Sequence, residues 1–142
     1  MPEKSTMERA RRDLRAGKRP STAAGEFVRE EMEHIREGKH GARSSRQAIA
    51  IGLSKARRAG VPLAPPAKGA TTRRTRRAAE RDLATGQGRR KARAPSRRRS
   101  AAVKQALRRE GHGAASHRAL ARHSHQAASR RRAGTGRASA RR

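Results

Sequence analysis

The chain has no cysteine, no tryptophan and no tyrosine, and Phe27 is its one phenylalanine. Without cysteine there is neither a disulfide nor a thiolate metal site, and a reducing cytoplasm suits the chain. Without aromatic platforms nucleobases have nothing to stack on, which argues against a dedicated single-strand or sequence-specific RNA reader. Carboxylates are scarce, eleven against 39 lysines and arginines, for a formal net charge of +28. Long apolar runs are missing: none approaches the roughly 18 residues of a membrane span. No signal-peptide core follows the N-terminus, and Glu3, Glu8 and Asp13 interrupt the acid-poor pattern of a transit peptide. No membrane partner is therefore expected.

Large apolar side chains are the remaining shortage. Leu, Ile, Val and Phe together make up 13 of 142 residues. Below roughly 20%, at high net charge, a chain cannot bury enough surface to offset the entropy of ordering it. The expected fold is thus mostly disordered with one all-α element.

That element is residues 21–61, which hold Phe27, all three isoleucines and five of the eleven acidic residues. Its spacing predicts an antiparallel helical hairpin over about 23–37 and 45–59. Ser21 or Thr22 can cap the first helix, and Gly38 ends it. Ser44-x-x-Gln47 reads as a capping box for the second, which Gly60 and Pro62 end. Residues 1–20 read as a basic tail with a short helix capped by Ser5-x-x-Glu8 and stopped at Gly17. Residues 62–70 read as a Pro-rich linker, and 71–142 as an Arg/Ala-rich tail, disordered or helical on binding, with weak helices near 72–85, 97–110 and 114–132. Arg12-Asp13-Leu14 with Gly17 recurs as Arg81-Asp82-Leu83 with Gly86.

So small a hairpin needs a partner. Gly52 in mid-helix implies a close helix approach, under Phe27. Ile51 points off the Ile49–Leu53–Ala56 stripe, toward a third element or a second copy. Self-association through Phe27, Ile51 and Gly52 is the expected route, as a four-helix bundle.

The basic runs carry the functional signal: Arg73, Arg74, Arg76 and Arg77; Arg89, Arg90 and Lys91; Arg97, Arg98 and Arg99; Arg130, Arg131 and Arg132; and Arg141 and Arg142. Arginine matches phosphate oxygens with a permanently charged planar fork, and neutralised phosphates release counterions, so binding is tight, salt-dependent and indifferent to sequence. The expected partner is DNA, with RNA possible. Glu26, Glu30, Glu33 and Glu37 form an acidic stripe on the first hairpin helix, while Glu31 falls in the apolar arc, suited to a rim pair with Arg43 or Arg46. The six histidines include no H-x-x-x-H pair, so no metal site is expected. No phosphate loop, nucleophile elbow or supported carboxylate pair is present; neither an enzyme, a cofactor nor a small-molecule ligand is expected.

The run Ser45–Gly60, SRQAIAIGLSKARRAG, stands downstream of Phe27-Val28-Arg29-Glu30-Glu31-Met32 and Gly38-Lys39-His40-Gly41. Together they resemble an uncharacterised family of small basic bacterial and phage proteins, a domain of unknown function. The resemblance covers about 40 residues and implies a bacterial cytoplasmic setting and a folded unit over 21–61; it supplies no activity, cofactor or site residue. Lys55 stands where that family commonly has Glu. The composite expectation is a non-enzymatic, nucleoid-associated or histone-like DNA-binding protein. An RNA- or ribosome-associated protein, or a protein-interaction module with the tail as solubiliser, are the other readings.

Overall fold

Glycine and hydroxyl caps set the helix ends, and small residues let the helices approach closely. The structure, a computed structural model, describes residues 2–139, with side chains through residue 134. Six helices follow one another: α1 (Lys4–Arg15), α2 (Pro20–Arg36), α3 (Ser45–Arg58), α4 (Arg73–Gly86), α5 (Arg97–Arg109) and α6 (His117–Ser139). A 3-10 turn, Gly113–Ala115, precedes α6, and no strand occurs among the described residues.

The hairpin is α2 and α3. α2 starts with Pro20 in its first turn and Arg19 as N-cap, ahead of Ser21 and Thr22. Proline's fixed φ and missing N–H suit that position. Gly38, at φ 77°, lets the chain leave α2 in a left-handed turn. The Ser44 hydroxyl accepts the Gln47 N–H at 3.2 Å, while the Gln47 side chain accepts the Arg43 N–H at 2.7 Å. The capping box thus forms one residue offset from the usual reciprocal pair. α1 starts at Lys4 with Glu3 as N-cap, so Ser5 lies inside the helix rather than at its cap.

α1, α2, α3 and α4 pack each against the next in chain order. One apolar cluster joins Ala10 of α1, Ala23, Ala24 and Phe27 of α2, Ala56 of α3 and Val61 beyond it, with Met7, Leu14, Leu53 and Leu63 against its rim. The other joins Met32 and Ile35 of α2, Ala42, Ala48 of α3, and Ala114 and Ala115 of the 3-10 turn, with Val28, Ile49 and Leu120 at its edge. Gly52 makes the α2–α3 approach possible: a Cβ there would lie 2.7 Å from Val28 Cα and 2.9 Å from Val28 N. The close contact is with Val28 rather than Phe27.

The expectation of a mostly disordered, intrinsically disordered chain is therefore wrong. Residues 73–139 include α4, α5, the 3-10 turn and α6. The physical reason is alanine. Among the described residues, nine of the thirteen buried apolar side chains are Ala. Alanine costs no side-chain entropy on burial and is the best helix former. A count of large aliphatics does not see a core of this kind. The missing partner of the hairpin is supplied in cis, by α1, α4 and the tail's own Ala114 and Ala115.

The linker is likewise fixed. Arg57, 8% exposed, donates to the carbonyls of Leu63 at 3.2 Å and Ala64 at 3.1 Å. Burial pushes this guanidinium's pKa down, with Asp82 opposing. Gly86 is the last residue of α4 rather than a stop beyond it; a Cβ there would fall 1.8 Å from the Arg57 carbonyl oxygen.

Candidate nucleic-acid interface

Charge is sorted by element. The acidic residues of α2 face inward or toward α1. Arg9 Nε donates to Glu26 Oε2 at 2.7 Å, and that bond holds the Arg9 pKa up. The Glu3 N–H donates to Glu30 Oε1 at 2.7 Å, and Glu30 is 2% exposed. Glu33 pairs with Arg29 at 3.1 Å and Glu37 with Lys39 at 3.0 Å. The acidic stripe is thus in part the docking face of α1. Glu31 pairs with Lys55 and His40 rather than with Arg43 or Arg46, because it lies deep in the interface, 1% exposed. On the far side, Asp82 of α4 accepts from Ser54 and lies 3.8 Å from Arg58. Ile51 shares the helix face of Ser54 and Arg58, the face whose polar side chains meet Asp82 of α4, and is half-buried. Phe27 is 1% exposed and Gly52 is buried; packing within the chain accounts for both.

The predicted basic runs lie at the surface. Arg73, Arg74 and Arg77 are exposed on α4; Arg76 is half-buried, 3.2 Å from Glu80. Arg89, Arg90 and Lys91 are exposed in the segment after α4. Arg97, Arg98 and Arg99 are exposed in the first turn of α5. Arg130, Arg131 and Arg132 are exposed on α6, while Arg141 and Arg142 lie outside the described residues.

A pattern joins these runs to helix ends. α4 is capped by Thr72 and followed by Arg73 and Arg74; α5 is capped by Ser96 and followed by Arg97, Arg98 and Arg99. α3 carries Arg43 and Arg46 around its Ser44 cap. At the start of α6 the Ser116 hydroxyl accepts the Ala119 N–H at 3.1 Å, and Arg118 follows two residues later. None of these four helices has an acidic residue in its first turn. Cations at a helix N-terminus oppose the macrodipole and weaken the helix, whereas an anion bound there satisfies both dipole and side chains.

Two of these N-termini meet. An open groove of about 760 Å³ runs between the start of α3 and the face of α6, lined by Arg43, Arg46, Arg122, His123 and Arg130. Glu110 is its one carboxylate among the described residues, 4.0 Å from Arg43. The tail is held to the hairpin here by backbone bonds. Gly41 N–H donates to Leu107 O at 2.9 Å and Ala42 N–H to Gly111 O at 3.1 Å. Arg36 Nε donates to Ala115 O at 3.0 Å and the Ser45 hydroxyl to Ala114 O. A side chain at Gly41 would collide with Glu110, its Cβ 2.0 Å from that carbonyl oxygen. Of the groove's cations only Arg130 belongs to the predicted binding runs. Arg43, Arg46 and Arg122 stand singly in the sequence; the capping box between Arg43 and Arg46 was the one local signal for them.

Comparison with protein-family models, with curated proteins and with solved structures gives no match. Among the described residues, no helix is long and apolar enough to cross a membrane.

Proposed function

We propose that the protein binds nucleic acid non-enzymatically through the phosphate backbone, duplex DNA foremost, in a nucleoid-associated role. The carrying observation is the groove in which Arg43, Arg46, Arg122 and Arg130 converge beside two helix N-termini. Arginine forks suit phosphate oxygens, and Phe27, 1% exposed, offers no stacking surface for bases. The exposed arginines of α4 and α5 extend the same chemistry beyond the groove.

The test is fluorescence anisotropy of labelled duplex DNA and duplex RNA across a salt series. Log affinity should fall linearly with log salt, by roughly 0.9 in slope per phosphate neutralised on B-DNA. Replacing Arg43, Arg46, Arg122 and Arg130 by Ala should lower that slope by roughly 3 to 4. Replacing Arg73, Arg74, Arg97 and Arg98 controls for the same loss of charge and should weaken binding less. Equal losses would remove the groove from the reading, and a slope near zero in the wild type would end it. Tighter binding to duplex RNA at every salt would reassign the partner.

A further inference from the structure

We propose that Glu31, His34 and His40 form a site for a divalent ion of the zinc class, set in the turn that joins the two hairpin helices. Glu31 and His34 are three residues apart on α2, so they stand one above the other on one face. His40 returns to that face because the chain reverses after α2. Gly38 takes φ 77°, its N–H donates to Ile35 O at 3.1 Å, and the Lys39 N–H donates to His34 O at 3.0 Å. The His34 and His40 rings then meet edge to face, centroids 6.2 Å apart.

The hydrogen bonds fix which atoms are free. His40 Nδ1 lies 2.9 Å from the Gly41 carbonyl oxygen. A carbonyl only accepts, so Nδ1 carries a proton, and Nε2 is the ring nitrogen left to face the carboxylate. It faces Glu31 Oε2 at 3.2 Å. Glu31 is 1% exposed and its Oε2 has no hydrogen-bond donor, because Lys55 holds the other oxygen. A nitrogen and a carboxylate oxygen at this distance in a buried site need a positive centre between them, a second ring proton or a metal ion in its place. His34 Nε2 lies 3.3 Å from Glu3 Oε1, the outer carboxylate contact that orients a ligating imidazole.

One ligand atom each from Glu31, His34 and His40 lie within 4.8 Å of one another. Tetrahedral bonds of about 2.0–2.1 Å place ligand atoms about 3.3 Å apart, within reach of modest rotations of the two imidazoles. Two imidazoles and one carboxylate favour zinc, cobalt or nickel over magnesium or calcium. Glu30, 2% exposed and with its own unpaired Oε2, adds negative charge behind His34 and offsets Lys55. The ion would fasten the end of α2 to the turn that carries Arg43 into the groove.

The full chain, stripped with chelator, is titrated with ZnCl2 by calorimetry and melted with and without the ion. One equivalent should bind and raise the melting temperature. Co2+ should give the intense visible bands of a tetrahedral site. His34→Gln and His40→Gln should each weaken binding by more than the roughly 10–100-fold that loss of an outer partner costs. Replacing His112, His117, His123 and His125 by Gln should leave the tight equivalent in place. Absence of binding at millimolar zinc, or binding lost only with the four tail histidines, overturns the proposal. Should the His34 and His40 variants fail to fold, a wild-type cobalt spectrum of six-coordinate form overturns it independently.

Discussion

Replacing Gly52 by Ala isolates the close approach on which the hairpin rests. The added Cβ would sit 2.7 Å from Val28 Cα and 2.9 Å from Val28 N. Both are backbone atoms, so no side-chain rotation relieves the clash. Carbon atoms rest about 3.5–4.0 Å apart, so α2 and α3 must separate by about 0.8 Å or more at this level. Overpacking of this kind costs about 1–3 kcal/mol, and a backbone collision belongs at the upper end. Against it stands about 1 kcal/mol gained by removing a mid-helix glycine. The expected net loss is about 2 kcal/mol, a fall in melting temperature of about 5–8 °C for a chain of this size.

Gly25 provides the matched control. It also lies inside a helix, α2, but it is exposed and a Cβ there meets nothing within 4 Å. Gly25→Ala should therefore gain about 0.5–1 kcal/mol and melt about 2–5 °C higher. Thermal unfolding followed by circular dichroism at 222 nm reads both variants. A Gly52→Ala protein that melts at or above wild type, while Gly25→Ala gains as expected, would refute the close approach and with it the assignment of α2 and α3 as the central pair.

Two further outcomes follow from the same packing. Ending the chain after residue 110 removes Ala114 and Ala115, uncovers Met32, Ile35, Ala42 and Ala48, and breaks the bonds from Arg36 and Ser45; at roughly 1 kcal/mol per lost hydrogen bond plus the exposed apolar surface, the melting temperature should drop by about 10 °C or more, and no change would mean the tail is not part of the core. Gly86→Ala should cost more than Gly52→Ala, since its Cβ would fall 1.8 Å from the Arg57 carbonyl oxygen; proteolysis in the 62–72 segment should accelerate, and unchanged cleavage there would show that α4 is not seated on the end of α3.

The parts of the fold governed by local chemistry were legible in the sequence. Gly17, Gly38 and Gly60 terminate helices because each takes positive φ, and Ser44 with Gln47 caps α3 as its spacing implies. Gly52 announced a close approach because a mid-helix glycine is otherwise a cost. What could not be read was which distant segments meet. Ala114 and Ala115 look like any alanines in an Ala-rich tail; only the fold shows them at 9% and 0% exposure against Ile35 and Ala48. The groove was illegible for the same reason, since Arg43 and Arg122 lie 79 positions apart in sequence and stand in no run. Glu31 was read as a rim residue because helical phase gives direction but not depth.

The recurrence of Arg-Asp-Leu in α1 and α4 takes on structural meaning once the helices are placed. The two helices flank the hairpin on opposite sides, α1 on α2 and α4 on α3. Leu14 packs at the rim of the first apolar cluster, and Asp82 receives the Ser54 hydroxyl. Asp13 instead accepts from Lys18 at 2.7 Å across its own helix end. Similar residues therefore serve docking on one side and helix termination on the other. The wider division of charge follows the same economy of few acids. Glu26, Glu30, Glu31 and Asp82 are each held between helices, answered by Arg9, the Glu3 N–H, Lys55 with His40, and the Ser54 hydroxyl respectively. With so many carboxylates committed internally, few acids face the exposed arginines of α4 and α5, and like charges along those helices repel. A chain that spends its acids on holding itself together leaves its excess of positive charge at the surface.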